Sequence, residues 1–345
     1  MLARLLLIGI CLLMNTATAS PTFTSEAELS DWTLSGLNAD WQQTAEMGQF
    51  YSADGLLLPY AKLFSSEHRK SIIVVNGRTE SLLKYQELAR DLFNNGYNVY
   101  LYDHRGQGLA PRLLDNPHIG HVSHFDDYVQ DLEQFVQQIV LQDPIDSLYL
   151  LSHSMGGTIA ALWLSETQVR LQAAALASPM LSIYLKPLPR WLANGLASLL
   201  STGCDWLGKT ACYAPGQKDY QAVPFADNVL THSETRYQLL VDLYEQEPEL
   251  QLGGVSLRWL QEALQAGDLA IAKAGRITTP LLVLQADKDV VVDNKAQQDF
   301  CAGLAHCEGG SPKVIKNAAH ELFLEQDPQR NRALTTILDF FAQYP

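Results

Sequence analysis

Positive charge is scarce in this chain. Its 345 residues carry 24 Lys and Arg against 38 Asp and Glu, a formal net charge of -14 with a sequence pI near 5.0. A nucleic-acid partner calls for a basic stripe, so the deficit argues against one. It argues equally against simple electrostatic adsorption to anionic lipid. Long apolar runs are also missing. The longest candidate, Leu5 to Met14, is short for a membrane span. No internal repeat or low-complexity segment stands out. A hydrophobic content of 47% with 18% charged residues excludes a disordered chain, and the length is ample for a large buried core.

What the N-terminus does have is the layout of an export signal. Arg4 supplies a positive n-region, Leu5 to Met14 a short apolar h-region, and Ala17-Thr18-Ala19 a small-residue cleavage site. Residues 1–19 are therefore expected to be a signal peptide, with an uncleaved anchor as the alternative. Bulky Ile10 before Cys11 speaks against a lipoprotein. Of five cysteines, the four beyond Cys11 form two close pairs, Cys204 with Cys212 and Cys301 with Cys307. Local pairing is the simplest connectivity, so two small disulfide loops are expected, which require an oxidising compartment.

Residues after the signal, to about Thr44, read as an arm with one or two short helices. Met47 to Tyr51 and Leu56 to Phe64 flank the turn signal Ser52-Ala53-Asp54-Gly55, a hairpin. Then strands and helices alternate. Strands are expected at Ser71 to Val75, Asn98 to Tyr102, Leu148 to Leu151, Ala173 to Ala177, Leu281 to Gln285 and Lys313 to Lys316. Helices are expected over Ser81 to Asn95, Phe125 to about Leu141, Thr158 to Glu166, Asn294 to Leu304 and Pro328 to Phe341. This alternation implies a mostly parallel sheet covered by helices on both faces, an α/β class. It stops between Ser178 and about Gly254, where Pro187, Pro189, Pro215 and Pro224, one cysteine pair and several helical patterns lie. The expected layout is a core of 20–178 and 255–345, with 179–254 a mainly helical cap. Trp191, Leu192, Leu196, Leu199 and Leu200 form an apolar stripe in that cap. It fits core packing, an acyl-chain pocket or a membrane-docking face.

The chain is organised around Leu148 to Gly157, which reads LYLLSHSMGG. A strand, a serine between small residues and then a helix is the pattern of a nucleophile elbow. Ser152 stands where the first glycine of G-x-S-x-G belongs. The elbow exposes the Ser154 hydroxyl at a helix head, where free N–H groups face a developing oxyanion. A serine hydroxyl needs an oriented base. In this layout the order along the chain is serine, acid, histidine. Asp289 and His320 each follow a strand at its C-terminal end, where sites in open α/β sheets are built. Asp287 and Asp293 compete with Asp289 for the acid. Met155 N–H is the expected first oxyanion donor. Arg78 N–H, in the glycine-containing loop after SIIVV, is the second. Asp103 to Gly108 lacks phosphate-loop spacing and reads as a structural turn, with Asp103 and Arg105 bonding loops near the site. His118, His121 and His124 recur at spacing three, but their loop has no cysteine partner, so loop packing is favoured over zinc.

These segments together resemble the α/β-hydrolases of the monoacylglycerol-lipase-like branch, and within them the PldB-type bacterial lysophospholipases. The likeness runs through NGRTESLLKYQELARDLF, DHRGQG, RLLDNPHIGHV, LSHSMGG, PFADNVLTHS, VVDNKA and VIKNAAHELFLE. It implies Ser154 as nucleophile, Asp289 as acid and His320 as base. Asp289 is the choice because it stands four residues before Asp293-Asn294. The resemblance implies hydrolysis of the acyl ester of lysophospholipids, with transacylation as a side activity, or of monoacylglycerols and other carboxylic esters. A non-catalytic lipid-binding protein is the reading of another class. The expected partners are a monoacyl lipid and a membrane surface, with no cofactor and no metal. The expected place is the periplasm or the periplasmic side of a membrane. Two features depart from the pattern: Asn76 stands where the branch often has histidine, and the export signal and paired cysteines differ from the familiar lysophospholipase.

Overall fold

A computed structural model describes residues 20–184, 190–206 and 211–345. The expected signal segment lies outside the described residues.

Strands β1 (Glu46–Tyr51) and β2 (Leu57–Leu63) form the expected hairpin. Its turn is closed by Ser52, whose hydroxyl donates to Asp54 at 2.7 Å and accepts from the Leu56 N–H at 2.7 Å. Six parallel strands follow: β3 (Lys70–Val75), β4 (Tyr97–Tyr102), β5 (Ser147–His153), β6 (Ala173–Ala177), β7 (Leu281–Ala286) and β8 (Lys313–Ile315). The order across the sheet is β1-β2-β4-β3-β5-β6-β7-β8, with antiparallel pairing only between β1 and β2 and between β2 and β4. The central strands are buried on both faces, which is why they read as continuous apolar runs. Alternation still sorts their side chains. Leu148 and Leu150 of β5 join one core cluster, and Tyr149 and Leu151 join the other.

One face carries α3 (Asp126–Gln138), α4 (Met155–Leu164), α7 (Leu257–Lys273) and α8 (Asn294–Gly303). The other carries α2 (Gln86–Asn94) and α9 (Asp327–Ala342). The arm is one helix, α1 (Glu26–Thr44), broken at Thr33, whose φ is 56°. Ser25 caps it in a reciprocal capping box with Glu28. The helix expected from Ser81 begins as a tighter turn over Leu82–Tyr85 before α2. Helix α7 was not foreseen as an element, although LRWLQEALQAGDLAIAK repeats its apolar residues at helical spacing.

Between β6 and β7 the chain leaves the sheet and forms α5 (Arg190–Trp206), α6 (Glu234–Gln246) and then α7. Both cysteine pairs close as expected. Cys204–Cys212 ties the end of α5 to the following segment, and Cys301–Cys307 the end of α8. Arg236 of α6 is buried and bonds Glu87 of α2, Asp327 of α9 and the Thr24 and Glu325 carbonyls. On α5, Leu196, Leu199 and Leu200 are exposed, so the stripe is not core there. The side chains of Trp191 and Leu192 lie outside those described. Among the described residues no helix is long and apolar enough to cross a membrane.

Candidate active site

Ser154 sits between β5 and α4 with φ 50° and ψ -119°. That left-handed conformation is costly for serine and marks an elbow held by its surroundings. Its N–H bonds the Ala177 carbonyl at 3.1 Å, and its carbonyl accepts from Met180 at 2.9 Å. Gly156 is obligatory, because a Cβ there would strike the Val75 and Asn76 carbonyl oxygens. A Cβ on Gly157 would strike Pro179. Ser152 replaces the usual glycine without difficulty. It is a regular strand residue paired with Val75 and Leu176, so no positive φ is asked of it.

Three expected residues meet at the C-terminal edge of the sheet. His320 Nε2 lies 2.9 Å from Ser154 Oγ, and its Nδ1 lies 2.8 Å from Asp289 Oδ2. The other Asp289 oxygen accepts the Val291 and Val292 N–H groups at 2.8 and 3.1 Å. Burial pushes the Asp289 carboxyl up, but the His320 bond and charge and these two amides outweigh it. The group stays below its ordinary range. The competing aspartates are engaged elsewhere. Asp287 accepts from Ala318 N–H at 3.2 Å, and Asp293 caps α8. A hydroxyl bonded to an imidazole that a carboxylate orients can lose its proton while attacking a carbonyl.

Met155 opens α4 directly after the serine, where a helix N-terminus has unpaired N–H groups. Gly77 packs against Ser154, since a Cβ on it would lie 3.0 Å from the serine Cβ. This brings the Asn76–Glu80 loop, with Arg78, to the site. The Asp103–Gly108 turn braces that loop, as expected. Asp103 accepts from Leu82 and Leu109 N–H at 2.6 and 2.7 Å. Gln107 donates to the Gly77 and Glu80 carbonyls at 2.7 and 2.9 Å. Arg105 points away, to Asp131 and Asp54.

Above Ser154 lies a cavity of about 440 Å³. Met180, Ile183, Leu230, Val255, Trp259 and Leu260 make its apolar wall. The segment between β6 and β7 thus roofs the serine. The exposed Leu196, Leu199 and Leu200 of α5 are not among its lining residues, so for these three the acyl-pocket reading gives way to the residues just named.

A buried polar cluster beneath the site escaped the sequence reading. Glu80, Lys84, His153 and Glu321 are all buried. Lys84 bridges Glu80 at 2.7 Å and Glu321 at 2.8 Å. His153 Nδ1 faces Glu80 at 2.9 Å, and its Nε2 faces the His320 carbonyl at 3.2 Å. Glu80 also accepts from the Tyr85 hydroxyl at 2.6 Å and from the Gly77 N–H. The available signals were faint: Glu80 and Lys84 four residues apart, and a titratable neighbour beside each of Ser154 and His320. Glu80, His153 and Glu321 are the one group of potential metal ligands brought together among the described residues, and the Lys84 ammonium bridges both carboxylates. His118, His121 and His124 form no such group, and His121 Nδ1 instead meets Ser256 Oγ at 2.9 Å.

The family model described as serine aminopeptidase, S33, matches residues 66–327. The chain belongs to this family. The chain is 38% identical over 325 residues to lysophospholipase L2 of Escherichia coli K12, covering 93% of this chain and 94% of that protein. A probable lysophospholipase L2 of Haemophilus influenzae is 35% identical, with 82% and 88% covered. Human monoglyceride lipase is 27% identical over 74% of this chain and 76% of that one. Among solved structures, a soluble variant of Saccharomyces cerevisiae monoglyceride lipase superposes with a TM-score of 0.66 at 18% identity, over 87% and 97% of the chains. That last likeness concerns the fold, which is the expected α/β-hydrolase arrangement.

Proposed function

We propose that this protein is a serine ester hydrolase that cleaves the acyl ester of lysophospholipids. The observation that carries the reading is the Ser154–His320–Asp289 chain of hydrogen bonds opening on an apolar cavity. The choice of lipid rests on the 38% and 35% identical relatives, both named lysophospholipases.

In this reading His320 takes the proton of Ser154 as its oxygen attacks the ester carbonyl, and Asp289 fixes the ring's orientation. The Met155 and Arg78 N–H groups hold the oxyanion, each contributing roughly 3 kcal/mol to the barrier reduction. His320 returns the proton to the departing glycerophospho-alcohol. Water then releases the fatty acid by the same route, and no step needs a cofactor. A second lipid alcohol in place of that water would make the reaction a transacylation.

The protein is proposed to work after export, in the periplasm or against the periplasmic side of a membrane, with residues 179–254 as its cap. Support comes from the signal-like N-terminus and the two disulfides. The exposed Leu196, Leu199 and Trp206 on α5 give the cap a face suited to a lipid surface.

The test is a substrate profile of the exported form. Lysophosphatidylethanolamine is expected to turn over, and Ser154→Ala to abolish both turnover and fluorophosphonate labelling. Turnover of monoacylglycerol or short esters alone would favour the monoglyceride-lipase reading that the human relative supports. Unlabelled but well-folded protein would favour a lipid-binding role.

A further inference from the structure

Arg78 is a half-buried cation without a counter-ion. Among the described residues it forms no ion pair, whereas Arg105, Arg236 and Arg330 each reach carboxylates. Its Nη1 donates to the Gly253 carbonyl at 3.0 Å, and its guanidinium lies 5.6 Å from the Trp259 ring centroid. Burial pushes its pKa down to about 10, which still leaves the side chain charged at neutral pH. Even partial desolvation of a cation with only a carbonyl and a ring for company is unfavourable, and a site of this kind is stabilised by an arriving anion.

The surroundings say where that anion sits. Arg78 lines two cavities at once. One is the apolar chamber holding Ser154. The other, about 540 Å³ and more open, is bordered by Gln217, Lys218, Gln221, Asp219 and Asp227. It therefore presents both signs of charge, as a zwitterionic head group does. Arg78 is also one residue from Gly77, which touches Ser154. In a lysophospholipid only the glycerol backbone separates the ester carbonyl from the phosphate.

Resting on the lysophospholipase reading above, we infer that the Arg78 side chain is the reader of the substrate's phosphodiester, with the acyl chain in the apolar chamber and the head group in the polar one. A guanidinium presents a planar fork of donors that matches phosphate oxygens, and its bonds to them are charge-assisted. A monoacylglycerol, which is neutral, would leave this half-buried cation unpaired. The residue thereby discriminates between the two lipid classes.

The experiment compares the ratio of kcat/KM for lysophosphatidylethanolamine to that for a monoacylglycerol of the same chain, in wild type, Arg78→Met and Arg78→Lys. Each substitution keeps the backbone N–H, so the ratio isolates the side chain from any loss common to both substrates. Arg78→Met is expected to lower the ratio about 10- to 100-fold, from the usual strength of hydrogen bonds to charged groups. Arg78→Lys is expected to recover part of it. A parallel fall on both substrates, or an unmoved ratio, overturns the inference. As a second measurement on wild type, glycerophosphoethanolamine should slow fluorophosphonate labelling of Ser154 more than glycerol or inorganic phosphate does. Equal protection by all three overturns it too. Wild-type protein that cleaves no lysophospholipid at all would instead sink the proposed function, whatever Arg78 does.

Discussion

Two imidazoles stand side by side in this protein with ring centroids 4.9 Å apart, and they are held for opposite ends. Each turns Nδ1 to a carboxylate, His320 to Asp289 at 2.8 Å and His153 to Glu80 at 2.9 Å. They differ at Nε2. His320 meets the Ser154 hydroxyl at the floor of a cavity. His153 meets the His320 carbonyl inside the protein, with Glu321 at 3.9 Å. Burial alone would push the His153 pKa down, but Glu321 and Glu80 outweigh it and raise it to about 9, against some opposition from Lys84. Burial likewise pushes Glu80 up, yet Lys84 and His153 leave it well below its ordinary range. One imidazole has a proton-donating alcohol before it and one carboxylate behind. The other is a cation between two carboxylates and serves as a strut. A histidine–carboxylate pair is thus no sign of chemistry by itself; the partner of the second nitrogen decides.

The largest effect should come from the member that meets the serine. His320→Gln is expected to lower kcat by about 10⁴-fold or more, with the unfolding midpoint little changed. Glu80→Gln should do the reverse. Glu80 serves Lys84, His153, Tyr85 and Gly77 at once, so neutralising it leaves two buried cations to share the single carboxylate of Glu321. The expected cost is about 3–5 kcal/mol of stability in denaturant unfolding. The comparison breaks if Glu80→Gln leaves stability intact, or if His320→Gln unfolds the protein while sparing turnover.

The same contrast explains what the sequence could and could not tell. The sheet was legible because strands buried on both faces must be apolar throughout, as SIIVV and AAALA are. Ser154, Asp289 and His320 were legible because each ends a strand and their order along the chain is characteristic. The strut was not. Glu80, Lys84 and Glu321 look like solvated charges on polar segments, and only the packing of the Glu80–Lys84 segment against the Glu321 loop turns them inward. Arg78 was read for its backbone N–H, and nothing in the sequence said that its guanidinium would lack a partner. On α5 the spacing of leucines fitted core or surface equally, and the exposure of Leu196, Leu199 and Leu200 decides it for those three.

A pH series sharpens the comparison at intermediate magnitude. The folded-state pKa of His153 is raised from 6.5 to about 9. The stabilisation from its charged form is therefore complete below about pH 6.5 and fades as pH rises through 9. The thermal midpoint of disulfide-intact protein should fall across that window. Glu80, Glu321, Lys84 and His320 face the ring. In His153→Gln that pH-dependent fall should flatten. A fall that persists unchanged in the variant would assign it to another group and remove the cation from the strut.

The smallest effect is expected at Asp287, two residues from Asp289 and equally acidic in the sequence. It accepts one N–H, that of Ala318, in the loop that carries His320. An amide oxygen can accept the same bond, so Asp287→Asn should change kcat/KM by less than about threefold and stability by about 0.5–1.5 kcal/mol. Asp289→Asn, measured beside it, should cost kcat about 10⁴-fold, because an amide neither orients the ring in the same tautomer nor stabilises the imidazolium. Similar losses in the two variants would mean that the His320 loop tolerates no change at either aspartate. Placement of the loop, rather than the carboxylate behind the ring, would then set the rate.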